Sequence, residues 1–173
     1  DEGTETASAQ VAGGSVSALV ATDYGINQAK ALAFSSSAVA QGTSQWVDTL
    51  LVGSDNPADD GQEFSATFYY HLDGIMSVSG GGGSIMSFDF TYDPEDQTSI
   101  GEQTTGEFIR HQTPGTLNID IDGSLTFDFK VGEAFEFEAL LFVNADTGSS
   151  PGTASTDFFS TATVTGVTLP DGF

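Results

Sequence analysis

At 173 residues the chain suits one domain, large enough to bury roughly two-thirds of its unfolded surface without a staple. It has no cysteine, which excludes a disulfide framework, a thiolate zinc site and a cysteine nucleophile together. Twenty-five acidic residues face three basic ones, Lys30, Arg110 and Lys130, for a net charge of −22. That balance makes nucleic acid and anionic membrane surfaces poor partners and cations good ones.

No apolar run approaches the about 18 residues of a membrane-spanning helix. The sequence begins at Asp1 without a methionine or leader, which reads as a mature, processed, extracellular chain. Such acidity acts as a solubility device in a saline or extracellular setting, and divalent ions are the other use for it.

Along the chain the dominant signal is an alternation of period two, bounded by Gly, Asn, Asp and Ser. Residues 1–13 read as an N-terminal arm, an edge or donor strand centred on Thr6–Val11. Residues 14–173 read as a single β-sandwich domain. Val16, Ala18 and Val20 alternate with small polar residues. The stretch 28–34 contains helix formers, but its small side chains run on into Ser35–Ala40, which favours a strand over a short helix. Trp46–Val52 is a compact strand, followed by an acidic loop at 53–62.

Phe64, Ala66, Phe68 and Tyr70 share one face, which leaves Tyr69 on the opposite, wet one. Gly80–Gly83 is a loop within the domain. Phe88 and Phe90 mark the next strand, acidic residues fill 93–105, and Phe108-Ile109 lies in a short strand. Leu117, Ile119 and Ile121, then Leu125, Phe127 and Phe129, alternate on either side of Asp122-Gly123, which predicts a tight hairpin there. Phe135, Phe137 and Ala139 follow, with a loop at 144–156. Ala162, Val164, Val167 and Leu169 close the pattern. About ten short strands with frequent turn signals predict an all-β fold, a β-sandwich or jelly roll.

Catalytic constellations are sparse. His71 and His111 each end a strand, no G-x-S-x-G elbow is present, and a Ser-His-Asp triad finds no support. Glu136 and Glu138 point the same way and alternate with Phe, the pattern of a solvated sheet face rather than of a glycosidase pair. Residues 118–123 match the first half of a calcium-binding EF-hand loop, but Phe129 stands where the closing Glu belongs.

No cofactor is required by the sequence. If Ca²⁺ binds, the oxygen-rich candidates are Asp55, Asn56, Asp59 and Asp60 in one loop, and Asp93, Glu95 and Asp96 in another. For a sugar platform the candidates are Trp46, Tyr69 and Tyr92, although a lone Trp in a sandwich is more often core.

Three stretches resemble the secreted β-rich domains of bacterial surface proteins sorted by the PEP-CTERM/exosortase system. They are the small-residue strands from Gly14–Ala18 through Ala29–Ala33 to Trp46–Leu50, the alternating run Leu117–Leu125, and Asp157–Gly172. The last is similar to the strand that precedes the family's sorting tail. The tail itself (Pro-Glu-Pro, an apolar span and a basic end) is not in this sequence, which stops at Phe173. The resemblance implies an outer-surface or exopolysaccharide-associated role and supplies no catalytic residues.

These observations lead first to a non-enzymatic extracellular structural protein. It would be a surface-filament or biofilm-matrix subunit whose copies join by strand addition through Thr6, Ala7, Ser8, Ala9, Gln10 and Val11. The alternative is a monomeric carbohydrate-binding or adhesion module whose partner is extracellular polysaccharide. A glycoside hydrolase or lyase stands behind both.

Overall fold

A computed structural model describes residues 4–12, 14–23, 25–93 and 103–170. They form ten strands: β1 Thr4–Ala12, β2 Ser15–Asp23, β3 Ile26–Phe34, β4 Val39–Leu51, β5 Glu63–Ser79, β6 Gly83–Asp93, β7 Gln103–His111, β8 Gly115–Lys130, β9 Ala134–Asp146 and β10 Thr153–Thr168. A single 3₁₀ turn, Pro57–Asp59, is the one helical element among the described residues. No helix among them is long and apolar enough to cross a membrane.

The strands make two antiparallel five-stranded sheets, one in the order β1-β4-β9-β6-β7 and the other β2-β3-β10-β5-β8. The protein is a β-sandwich. The period-two pattern places its apolar residues between the sheets, as the sequence predicts. Aromatic rings fill one region of the core. Phe68 and Phe137 meet across the sheets at 4.2 Å, and Tyr92 packs on Phe127 at 4.8 Å. Each fully buried Phe contributes on the order of 1.5–3 kcal/mol of transfer free energy.

Elsewhere the core is built from small side chains. Ala29, Ala31 and Ala33 of β3 are wholly buried, as is Ala40 of β4. A Cβ on Gly42 would meet Val20 at 2.8 Å, so the packing there leaves no room for more. The stretch 28–34 is therefore a strand because its alanines fill a narrow inter-sheet space.

The Asp122-Gly123 hairpin is a correction. β8 runs unbroken through it, paired with β5 from Glu63↔Lys130 to Val78↔Gly115. Neither Gly123 nor Gly74 has the left-handed φ of a turn. A Cβ on Gly123 would fall within the Tyr70 ring, and one on Gly74 would strike the Phe158 ring. Both glycines sit mid-strand to admit an aromatic ring. The sequence signal was an Asp-Gly pair, but the cause was space rather than backbone conformation.

The N-terminal strand is an edge strand of its own sheet. β1 pairs with β4 from Thr4↔Val47 to Ala12↔Val39, so the backbone of Thr6–Val11 is laddered to the same chain.

One end of the sandwich is tightly tied. Thr147, fully buried, accepts from the Ala38 amide at 3.0 Å, and the Thr147 amide donates to the Ala38 carbonyl at 3.0 Å. Ser35 and Ser37 take left-handed φ values of 72° and 59°. Their amides donate to Gly152 and Gly148 carbonyls at 3.0 and 2.6 Å, which holds these otherwise costly conformations. Beneath this end, buried hydroxyls bridge the sheets: Ser84 donates to the Ser155 carbonyl at 2.9 Å and Thr156 to the Asn144 carbonyl at 2.6 Å.

Candidate functional site

The outer face of the β1-β4-β9-β6-β7 sheet carries two clefts. Strand phase determines what lines them. On β9, Val143 and Ala145 are fully buried in the core, so Asn144 and Asp146 face outward. On β7, Ile109 packs against the core, so Phe108 and Arg110 face outward. Register then sets Arg110 opposite Ile85 and Ile85 opposite Asn144 in one row, with Phe108, Ser87 and Phe142 in the next.

The first cleft, about 130 Å³, lies at the tied end. Arg110, Gln112, Asn144 and Asp146 bring side chains to it, and Gly81–Gly83 and Gly148 bring backbone. Gly82 is sterically required: a Cβ there would collide with the Asp146 carbonyl. Asn144 is only 9% exposed, and its amide has no hydrogen-bond partner among the described residues. One oxygen of Asp146 accepts from the Gly148 amide at 2.6 Å, which fixes the carboxylate.

Arg110 donates from Nε and Nη2 to the Gln112 side-chain carbonyl at 3.1 and 2.7 Å. The chain's two lysines both pair with carboxylates, Lys30 with Asp157 and Lys130 with Glu133 at 3.9 Å. Arg110 makes no ion pair among the described residues, so its remaining donors are available to a ligand. Beside it, Phe108 is 67% exposed, the most exposed large apolar side chain among the described residues.

The second cleft, about 160 Å³, lies further along the same face and is lined by Thr91, Asp93, Glu136 and Glu138. Glu138 accepts from the Gln45 amide at 2.9 Å. The sequence reading of Glu136 and Glu138 as a solvated sheet face agrees with their half-buried outward positions.

Other sequence candidates fall elsewhere. Trp46 and Tyr92 are core rings, 2% and 0% exposed, and neither offers a face to solvent. This corrects them as platforms: both occupy inward positions of their strands. Tyr69 is 43% exposed as expected, but it lies on the outer face of the other sheet.

Around the 3₁₀ turn, the Asp59 carboxylate accepts from Ser54 at 2.7 Å and from the Asn56 amide at 3.1 Å, while Asn56 Oδ1 accepts from the Ala58 amide. Asp59 and Asn56 thus act as a turn cap, with Asp55 and Asp60 exposed beside them. Among the described residues no three acidic or histidine side chains gather as a metal would require. Asp93 ends β6, and Glu95 and Asp96 lie outside the described residues.

On the Tyr69 face, His71 Nδ1 lies 2.8 Å from Asp122 and Nε2 3.8 Å from Asp120. The Asp122 hydrogen bond raises the His71 pKa above 6.5; burial opposes it, and the charges of Asp122, Asp120 and Asp73 add to it. Inside the sandwich, burial raises the Tyr70 pKa; the Glu107 charge adds to this and a hydrogen bond with Thr105 opposes it.

The sequence reading placed Phe108 in a strand but did not assign its face. The signal was present in the neighbouring positions: apolar Ile109 between Phe108 and Arg110 fixes both as outward.

No family model and no curated protein matches the chain. Two solved structures are similar to it. One is the enzymatically active domain of tailspike protein 4 from bacteriophage CBA120, at 13% identity and TM-score 0.27, over 96% of this chain and 19% of that one. The chain thus spans about a fifth of the tailspike's length. The other is the carbohydrate-binding module TmCBM61, solved with β-1,4-galactotriose, at 9% identity and TM-score 0.28, over 95% of this chain and 88% of that one. Neither likeness carries a site residue across.

Proposed function

We propose that this protein is an extracellular carbohydrate-binding module, a binder rather than a catalyst, which contacts glycan on the outer face of the β1-β4-β9-β6-β7 sheet. The observation that carries the reading is the convergence of three polar groups on one cleft beside an exposed ring. Arg110 and Asn144 supply donors, Asp146 supplies an acceptor, and Phe108 supplies an apolar surface. Sugar hydroxyls need paired donors and acceptors, and a sugar ring's apolar face stacks on an aromatic side chain. The ties between Thr147 and Ala38 and between Thr156 and Asn144 hold the site in place before ligand arrives.

A glycan array run with and without chelator tests the reading. The expected result is retention of one glycan class regardless of chelator. Arg110→Ala and Phe108→Ala should each weaken it by about tenfold or more, the loss expected for a charged hydrogen bond or a stacked ring. Binding that survives both substitutions, or no binding to any glycan, would overturn it. The structural alternative, a filament joined by strand addition, requires β1 or its equivalent from another copy to pair in trans. Long regular fibres in electron micrographs of native material would restore that reading.

A further inference from the structure

The two clefts share one sheet face and lie along the same pair of strands. Between them, β6 and β9 present successive outward rows: Ile85 with Asn144, Ser87 with Phe142, Asp89 with Leu140, and Thr91 with Glu138. From the first row to the fourth is six residues of antiparallel strand, about 20 Å at ~3.4 Å per residue. That distance exceeds any single sugar ring. Each end offers hydrogen-bonding groups, and the middle offers Phe142 and Leu140, half-buried and facing outward. Polar ends around a middle where Phe142 and Leu140 stand beside Ser87 and Asp89 are a track for a chain of rings.

Charge narrows the ligand further. Among the described residues this face carries the carboxylates of Asp89, Asp93, Glu136, Glu138 and Asp146 against one cation, Arg110. A ligand bearing a carboxylate or sulfate on each ring would meet like charge along most of the track, on a molecule of net charge −22. Uncharged hydroxyls instead find acceptors in the same carboxylates.

We infer that the face between the clefts is an extended groove that binds the interior of a neutral polysaccharide chain across several consecutive sugar units, with the Arg110–Asn144 cleft at one end and the Glu136–Glu138 cleft at the other. The inference rests on the glycan-binding reading above and adds to it ligand length and charge class. A site for one chain end would use the first cleft alone. A groove engages rings in series, so each added ring up to the groove's length adds contacts without a second association cost.

The experiment is calorimetric titration with ladders of neutral β-1,4-linked gluco-, manno-, galacto- and xylo-oligosaccharides, from disaccharide to hexasaccharide, with oligogalacturonate as the charged counterpart. With the unmodified protein, affinity should rise by about tenfold or more between disaccharide and hexasaccharide of the bound series, then level off. Oligogalacturonate of equal length should bind more weakly than the neutral ladder. Asn144→Ala should weaken every length. Glu138→Gln, which keeps the side chain's shape, should weaken the hexasaccharide several-fold, and more than it weakens the disaccharide.

Affinity independent of chain length, or a preference for oligogalacturonate, overturns the groove while leaving the glycan-binding reading intact, provided Asn144→Ala still weakens binding. If no ladder binds and the array is also blank, both readings fail together.

Discussion

Single residues here act mainly through the space they occupy or leave. Gly123 lies mid-strand in β8 beneath the Tyr70 ring, and its backbone is that of any strand residue. Gly123→Ala should therefore act by overpacking, costing about 2 kcal/mol and lowering the melting temperature by about 4–8 °C. Gly53→Ala, where an added methyl meets nothing within 4 Å, should change stability by less than about 0.5 kcal/mol. Thermal melts of the two variants side by side check this. Equal losses would show that backbone freedom, not the ring, sets the requirement. The same residues show where sequence reasoning stops. Asp122-Gly123 looks like a turn because a turn and a tight ring contact both call for glycine. Nothing in one sequence says that Tyr70, 53 positions earlier, supplies the ring. Trp46 and Tyr92 failed as platforms for a related reason: aromatic content is visible in a sequence, but its face depends on phase. The phase argument placed Tyr69 correctly and, extended two strands further, would have found Phe108.

At the scale of the strand, alternation carried nearly all the information. Phe64 to Tyr70, Leu125 to Phe129 and Phe135 to Ala139 all turn inward as their period predicts. What alternation omits is the partner, and pairing creates the second charged cluster. β5 and β8 bring His71 opposite Asp122 and Asp73 opposite Asp120, while β10 places Thr163 on the other side of His71. The hydrogen bond from His71 to Asp122, with a smaller contribution from the charges of Asp122, Asp120 and Asp73, favours the protonated ring, which is why its folded pKa lies above its ordinary 6.5. The sign follows. The proton binds the folded state more tightly, so this stabilisation is complete below 6.5 and is lost as pH rises through the raised folded value. A plot of melting temperature against pH should decline across that window, and His71→Gln should remove that part of the decline. An NMR titration of the His71 ring should give a midpoint above 6.5. A midpoint at or below it would rule the cluster out as the cause.

For the whole molecule, charge is the dominant variable. With −22 spread over 173 residues, the folded state suffers more self-repulsion than the expanded one. Added NaCl shortens the screening length from about 30 Å at 0.01 M to about 3 Å at 1 M. The melting temperature should therefore rise steadily over that range and faster at its low end; a flat or falling curve would show that the acidic residues are too well separated to interact. The charge was fully visible in the composition. The location of the one Lys or Arg without an ion pair among the described residues was not, because Arg110 and Asn144 come from strands joined only by register, and Gly82 from the loop that leads into β6.

The sheet order also fixes when the molecule can exist during synthesis. β10 is the last of the ten described strands in chain order, yet it lies at the centre of its sheet, between β3 and β5. Before residues 153–168 emerge from the ribosome, β2-β3 and β5-β8 are two separate ribbons, each with a bare edge where β10 will lie. The sandwich thus stays open until residues 153–168 are available. The sandwich closes in one late step dominated by pairings distant in sequence, a topology that folds on the slower scale of milliseconds to seconds.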